Sequence, residues 1–309
     1  MIKTPKYSAI LSLAVIGALY GASPALATPI LGADLATFAV LGATSVTNDY
    51  PTNTSTIFGN VGVSAGSSIT GFTPPVPGVP TVDATLQVTG GLLHATTTFG
   101  GAGFPNAADA QSQLDAAILT LNGMAATGSL LAELTGTYIP GVYTISGAAG
   151  LTGAMTLDGG GSDTAVWVFR FETGSGALTT GSGSSVSVQN VGDGSNVGIY
   201  WVVGTGATLN GPTFLGNVLA QTTISSDGAL TLGCGRLLSA TADVTLIGDT
   251  ISIGCTGAVV TGGGGADVGT SGGFDQAGIA GPSGVPEPAT LALLGLGLAG
   301  LGFSRRRHA

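Results

Sequence analysis

The side chains able to do covalent or metal chemistry are few in these 309 residues, and they do not converge. His94 is the one histidine outside the C-terminal tail, and no nucleophile motif lies near it. A triad, an acid–base pair or a catalytic metal needs several such groups held together. The carboxylates fall singly, mostly at turns, where Asp is favoured for backbone reasons. Gly-rich pieces bearing Asp (Asp158–Asp163, Asp193–Asn196 and Asp249) lack the nonapeptide period of a calcium-binding roll. Gly295, Gly297 and Gly300 match a dinucleotide fingerprint by letters only, since they follow no strand. Two cysteines, Cys234 and Cys255, are too few for a structural zinc site. These absences predict a protein that is not an enzyme and holds no cofactor. The functional groups that do recur at regular spacing are the hydroxyls of Thr and Ser.

Those hydroxyls sit in a unit written three times: Val197–Gly216, Asn217–Gly235 and Arg236–Gly254. Each line has an apolar run, a turn, a short Thr-bearing strand, a Gly turn and a second Thr-bearing strand. About 19 residues with three short strands make one turn of a β-solenoid, which buries its apolar side chains only by stacking on neighbours. Gly141–Asp158 and Ala165–Gln189 keep the same order, and Leu35–Asn48 and Gly59–Phe72 share the strand-Gly-strand texture. The expected fold is therefore mainly β, a three-sided solenoid.

One helix is expected, over 107–124. Asn106 is a good N-cap and Asp109 favours the helix dipole in the first turn. Ala110, Leu114, Ala117, Ile118 and Leu121 form one apolar stripe. Its partner should be a solenoid face apolar on both sides, as in Ala165–Phe171, Ile199–Val203 and Val218–Ala220.

Fifty-five glycines without a triplet period exclude collagen, and the apolar strands exclude wholesale disorder. Between Thr28 and Gly284 stand two basic and fifteen acidic residues, 2 − 15 = −13. Phosphate binding needs clustered Lys and Arg, so nucleic acid is excluded as a partner.

The two ends read as addresses. Lys3 and Lys6, the apolar Ala9–Tyr20 and the Ala25-Leu26-Ala27 site make a secretory signal over residues 1–27, cleaved after Ala27. Export permits a disulfide between Cys234 and Cys255, whose 21-residue separation is close to one solenoid turn; two packed free thiols are the alternative. Residues 257–284 lose periodicity and read as a Gly-rich linker. In 285–309, Val285 precedes Pro286, Glu287 and Pro288, then the apolar Ala289–Phe303, then Arg305, Arg306 and Arg307. This order resembles the PEP-CTERM sorting signal of Gram-negative bacteria. The resemblance implies recognition and removal by an exosortase, transient anchoring by a membrane helix, and residence at the cell surface or in the extracellular matrix.

Taking the residue beside the inward aliphatic of each turn gives one hydroxyl file: Thr152, Thr179, Thr208, Thr223 and Thr245. The following strand gives a second: Thr156, Ser187, Thr213, Thr231 and Ser252. A single outward Thr is simply a favoured strand residue. A file of them with almost no charge is a flat strip suited to an extended repetitive partner: another sheet, a polysaccharide or ice.

The segments LATFAVLGATSVTN, GNVGVSAGSSITGF, PGVYTISGAAGLTGAMTLDG and AVWVFRFETGSGALTTGSGSSVSV, with the triple repeat, resemble the ice-binding-like (DUF3494) family of secreted microbial proteins. The similarity covers about Ile30–Thr256, within a domain set at 28–256. It implies a discontinuous right-handed β-helix, its N-terminal strands stacked out of sequence order and a long helix alongside. It also implies binding to an ice crystal surface through a Thr/Ser face, limiting ice growth or recrystallisation. The Thr-Gly-x-Thr pattern of ice faces matches Thr205 to Thr208 only, and Ser225, Ala240 and Asp243 interrupt the files. A structural or adhesive role in an exopolysaccharide matrix is the alternative that the sorting signal suggests.

Overall fold

Every strand ladder among the described residues of the computed structural model is parallel. The described residues are 30–254, apart from 77–78, 96–104, 131, 163, 192–196 and 229, together with a two-residue strand at Val260–Thr261. Stacked short strands of this kind make a β-solenoid. Successive turns pair with one another in three ladders. A helix-side ladder runs Gly128–Leu130, Gly141–Ile145, Val166–Phe171, Gly198–Val203, then 217–220 and 236–239. A seven-strand sheet runs Ala149–Leu151, Leu178–Thr180, Ala207–Leu209, Ile224–Ser226, Val244–Leu246, Ser45–Asn48 and Ser68–Thr70. A bridging ladder contains Ala154–Asp158, Ser185–Gln189, 213–215, 231–233, Thr250–Ser252 and Thr56–Phe58.

Stacking departs from chain order at one joint. Phe38–Gly42 pairs with 236–239 on one side and with Asn60–Val63 on the other, and Leu93–Ala95 follows. The first strands of the chain thus extend the stack beyond its last C-terminal turn. Gly128–Leu130 lies at the far end of the helix-side ladder.

The helix, α1 (Ala107–Asn122), begins where Asn106 Oδ1 accepts from Ala108 N at 2.9 Å. It ends two residues earlier than its apolar pattern predicts, because Gly123 is a weak helix former and serves as the cap. Its buried side chains are Ala107, Ala110, Leu114, Ala117 and Leu121, as the stripe requires, with Ile118 half-buried beside them. Sixteen residues give about 24 Å, or about five strand spacings. Accordingly α1 contacts Phe38–Gly42, Asn60–Val63, Val166–Phe171 and Gly198–Val203. Strands covered on both faces read as continuous apolar runs. In Gly198–Val203, Ile199, Trp201 and Val203 join the central core, while Tyr200 and Val202 are buried on the alternate side. An aromatic stack threads the core: Tyr143 on Phe169 (5.5 Å), Phe169 on Trp201 (4.3 Å) and Trp201 on Phe214 (4.8 Å).

The joint is held by polar groups. Arg236, wholly buried, donates from Nη1 to Asn217 Oδ1 at 2.7 Å and from Nε and Nη2 to Ala36 O. Burial pushes its guanidinium down to about 9, which leaves it cationic at neutral pH. At the other corner Asp249 accepts from Ser226 Oγ, Leu230 N and Ile247 N and donates its own N–H to Ser55 Oγ. Ser55 donates on to Asn48, and Asn48 to Gln87. This buried chain links C-terminal turns to N-terminal ones.

The pairing register slips by a residue between Leu215 and Asn217, a bulge that bends the chain from the bridging to the helix-side ladder. Cys234 stands at this bend with φ of 50° and is disulfide-bonded; its expected partner Cys255 lies outside the described residues. Val260–Thr261, within the segment expected to be linker, pairs with Val188 and Gln189, as a Val-Thr pair favours. Among the described residues no helix is long and apolar enough to cross a membrane, and the expected spanning segment Ala289–Phe303 lies outside them. So do the signal site at Ala27 and the sorting residues Pro286, Glu287, Pro288, Arg305, Arg306 and Arg307.

Candidate functional site

Five strands of the seven-strand sheet have buried first and third residues and an outward middle one, and Ser45–Asn48 and Ser68–Thr70 keep the same alternation with Val46 and Ile69 turned inward. The register aligns one outward residue of each strand in a single file: Gly150, Thr179, Thr208, Ser225, Thr245, Thr47 and Thr70. Six of the seven carry a hydroxyl, over about 29 Å of stacked backbone. Thr70 Oγ1 donates to Thr47 Oγ1 at 3.2 Å and Ser225 Oγ to Thr208 Oγ1 at 3.4 Å, so neighbouring rungs bring their hydroxyls within reach. Beside it runs a second outward file of small residues: Ala148, Ala177, Gly206, Thr223, Asp243, Ser45 and Ser68. Asp243 is the only ionisable group among these fourteen residues, and Glu133, bridged in parallel to Gly150, stands just past the first rung of the central file.

This register corrects the alignment expected from sequence. Thr179, Thr208 and Thr245 share the central file, but Thr152 and Thr223 do not. Gly150 and Ser225 occupy those rungs. Thr223 belongs to the second file, and its Oγ1 donates to Asp243 Oδ1 at 3.1 Å. Thr152 lies past the first strand, with its N–H and Oγ1 both donating to Glu133. Thr205 sits at the entry corner and donates to Gly176 O at 3.1 Å. Ser225, taken from sequence as an interruption, is a member of the file. Thr47 and Thr70 were missed, although VTN and SIT carry the same apolar-Thr texture as the later turns.

No group of three or more His, Cys, Asp or Glu that could hold a metal ion stands together among the described residues. His94 is buried against Phe38, ring centroids 5.1 Å apart, and burial lowers its pKa to about 4. Its position is structural. What the face offers is a rigid lattice of hydroxyl and methyl groups.

Sequence comparison gives the same architecture a name. A model of the ice-binding-like family matches residues 40–252, which spans every rung of the seven-strand sheet. The chain belongs to the ice-binding-like family. An ice-binding protein of Nostoc sp. (strain HG1) is 36% identical over 251 residues, which is 81% of this chain and 83% of that one. Among solved structures, the ice-binding protein of the Antarctic ascomycete Antarctomyces psychrotrophicus aligns with a TM-score of 0.58 at 32% identity. It covers 72% of this chain and 98% of its own. An ice-binding protein from an Antarctic biological consortium aligns with a TM-score of 0.59 at 27% identity, covering 74% and 93%. A PEP-CTERM protein-sorting motif matches residues 284–307.

The ice-binding-like domain carries hydroxyls on its bridging ladder too, and here the expected set divides. Thr213 and Thr231 stack with Ser185, Thr250 and Thr56. Thr156 and Ser187 lie in a neighbouring file with Thr137, their oxygens 3.4 Å apart. Ser252 is buried and pairs with Phe58, so it joins neither. The bridging ladder is the less regular surface, since its strands bend into the helix-side ladder at the bulge.

Proposed function

We propose that this protein is exported and adsorbs to ice through the outward face of its seven-strand sheet, limiting ice growth or recrystallisation. One observation carries the reading: six hydroxyl residues fall in register on a seven-rung file free of Lys and Arg. Membership of the ice-binding-like family and the names of its relatives support it.

The physics fits a neutral, extended, crystalline ligand. Hydroxyls are cheaper than charges to bring against a surface that offers no counter-charge. Repetition at the strand spacing lets every rung make the same contact with ordered water. Rigidity matters as much. The inward residues flanking the file (Leu178, Ala207, Leu209, Ile224, Val244, Leu246 and Val46) are buried in the core, so little freedom is lost on adsorption. Within this reading Thr179, Thr208, Ser225, Thr245, Thr47 and Thr70 contact ice, and Thr223 and Thr205 border them. The three ladders are the sides of a right-handed solenoid.

The sorting motif supports export and a cell-surface destination through exosortase-type processing. In this scheme residues 1–27 leave as the signal, 28–256 form the working domain, and 257–284 tether it. Residues 285–309 anchor it transiently in the membrane of a Gram-negative cell. Ice would then be held near the cell, with the surrounding exopolysaccharide as a second contact. Nothing in this role requires catalysis.

Thr208→Tyr tests the face directly, because a ring in mid-file lifts the neighbouring rungs off a flat surface. Recrystallisation inhibition should fall at least about tenfold while the melting temperature stays within about 2 °C. Equal activity of the variant would overturn the assignment of this face.

A further inference from the structure

Resting on the proposed ice-contacting role of the seven-strand sheet, we infer that Asp243 sets the strength of that face by limiting it. Asp243 lies on the second outward file, between Thr223 on one rung and Ser45 on the next. Its side chain is half-exposed and carries the only charge within the seven rungs, Glu133 lying beyond the first of them. Oδ1 accepts from Thr223 Oγ1 at 3.1 Å, and Oδ2 accepts from Thr245 Oγ1 at 3.5 Å.

Two consequences follow from that geometry. A carboxylate holds its hydration shell far more tightly than a hydroxyl does, and pressing it against a neutral lattice strips water without supplying a cation. An ionised Asp is also acceptor-only, whereas a hydroxyl both donates and accepts. By drawing the hydroxyl hydrogens of Thr223 and Thr245 along the protein surface, Asp243 removes two donors from the outward set. Thr245 belongs to the central file, so the effect reaches its fifth rung. The seven-rung file is thereby divided into the Gly150–Thr179–Thr208–Ser225 run and the Thr47–Thr70 pair. Asp243 contributes no hydrogen bond to the core from its side chain, and the groups it touches are themselves outward. The residue therefore acts on specificity and strength, not on folding.

Replacing Asp243 with Ser gives the second file a Thr-Ser-Ser run at 223, 243 and 45. Asp243→Asn keeps the shape and an acceptor oxygen while removing the charge, which separates the two effects. Wild type, Asp243→Ser, Asp243→Asn and Thr208→Tyr are to be compared as full chains for recrystallisation inhibition and thermal hysteresis, with melting temperature as the check on folding. Asp243→Ser should act at a concentration at least about fivefold lower than wild type, and Asp243→Asn should fall between them. Equal or weaker activity of both Asp243 variants, with wild type active and Thr208→Tyr inactive, overturns this inference and leaves the ice-contacting face standing. Absence of activity in wild type and in both Asp243 variants overturns the face as well.

Discussion

A threonine on this face differs from an ordinary strand threonine only in what lies above and below it. Thr208 has Thr179 on one side and Ser225 on the other, each presenting a hydroxyl at the same height. Its value is therefore collective, which is why a single bulky replacement should act on several rungs. The titratable residue His94 tells a different story. Burial lowers its pKa from 6.5 to about 4, so the folded state binds fewer protons than the unfolded chain between those values. Stability is then fully present above about pH 6.5 and declines as pH falls toward about 4, by up to about 3 kcal/mol. Urea midpoints measured across that window should fall, and His94→Leu should flatten that part of the curve. At this scale the sequence was partly legible. Thr179, Thr208 and Thr245 each sit beside an inward aliphatic residue and were found that way. Successive file members are separated by 29, 17 and 20 residues from Thr179 to Thr245, because loop lengths differ between turns. That uneven spacing drew Thr152 and Thr223 into a file to which they do not belong. Thr47 and Thr70 were hidden more deeply, since nothing in their local sequence says which turn they stack upon.

Among the elements, α1 was the most legible, with its cap, first-turn acid and apolar stripe all in one stretch. It covers the ladder whose strands are apolar on both faces, and that leaves the other two ladders to water. Leu114 is wholly buried between the helix and those strands. Leu114→Ala should destabilise the fold by about 2–5 kcal/mol, seen as a lower denaturant midpoint with an unchanged slope. Ice-related activity of the molecules that remain folded should be unaffected, because the helix packs on Phe38–Gly42, Asn60–Val63, Val166–Phe171 and Gly198–Val203, which lie outside the seven-strand sheet. The three-residue strands of the seven-strand sheet were legible as strands but not as pairs. Their inward-outward alternation fixes which side faces the core, while register depends on the bends between ladders. Glycine closes those bends: a Cβ on Gly235 would stand 1.9 Å from Gly216 O.

For the whole molecule the decisive feature is the joint at which the first strands of the chain continue the stack of the last. Without it the file would end at Thr245; with it Thr47 and Thr70 extend the face by two rungs. The joint is built from groups that have no use elsewhere, a wholly buried arginine and the Asp249–Ser55–Asn48–Gln87 chain. Arg236→Ala leaves Ala36 O and Asn217 Oδ1 without that donor in a buried site, and should cost about 2–5 kcal/mol. Hydrogen exchange in that variant should accelerate first at Phe38–Gly42. Out-of-order stacking is invisible to repeat analysis, which compares neighbours along the chain; family resemblance alone anticipated it. Such long-range closure also implies slow folding, since its loops must close before their contacts form.

The most direct test of the ice-contacting face is the partition of protein into a slowly grown ice hemisphere. Wild type and Thr231→Tyr on the bridging ladder should enter the ice, while Thr208→Tyr and Thr47→Tyr should stay in the liquid. Exclusion of wild type, or entry of Thr208→Tyr with exclusion of Thr231→Tyr, would contradict the account.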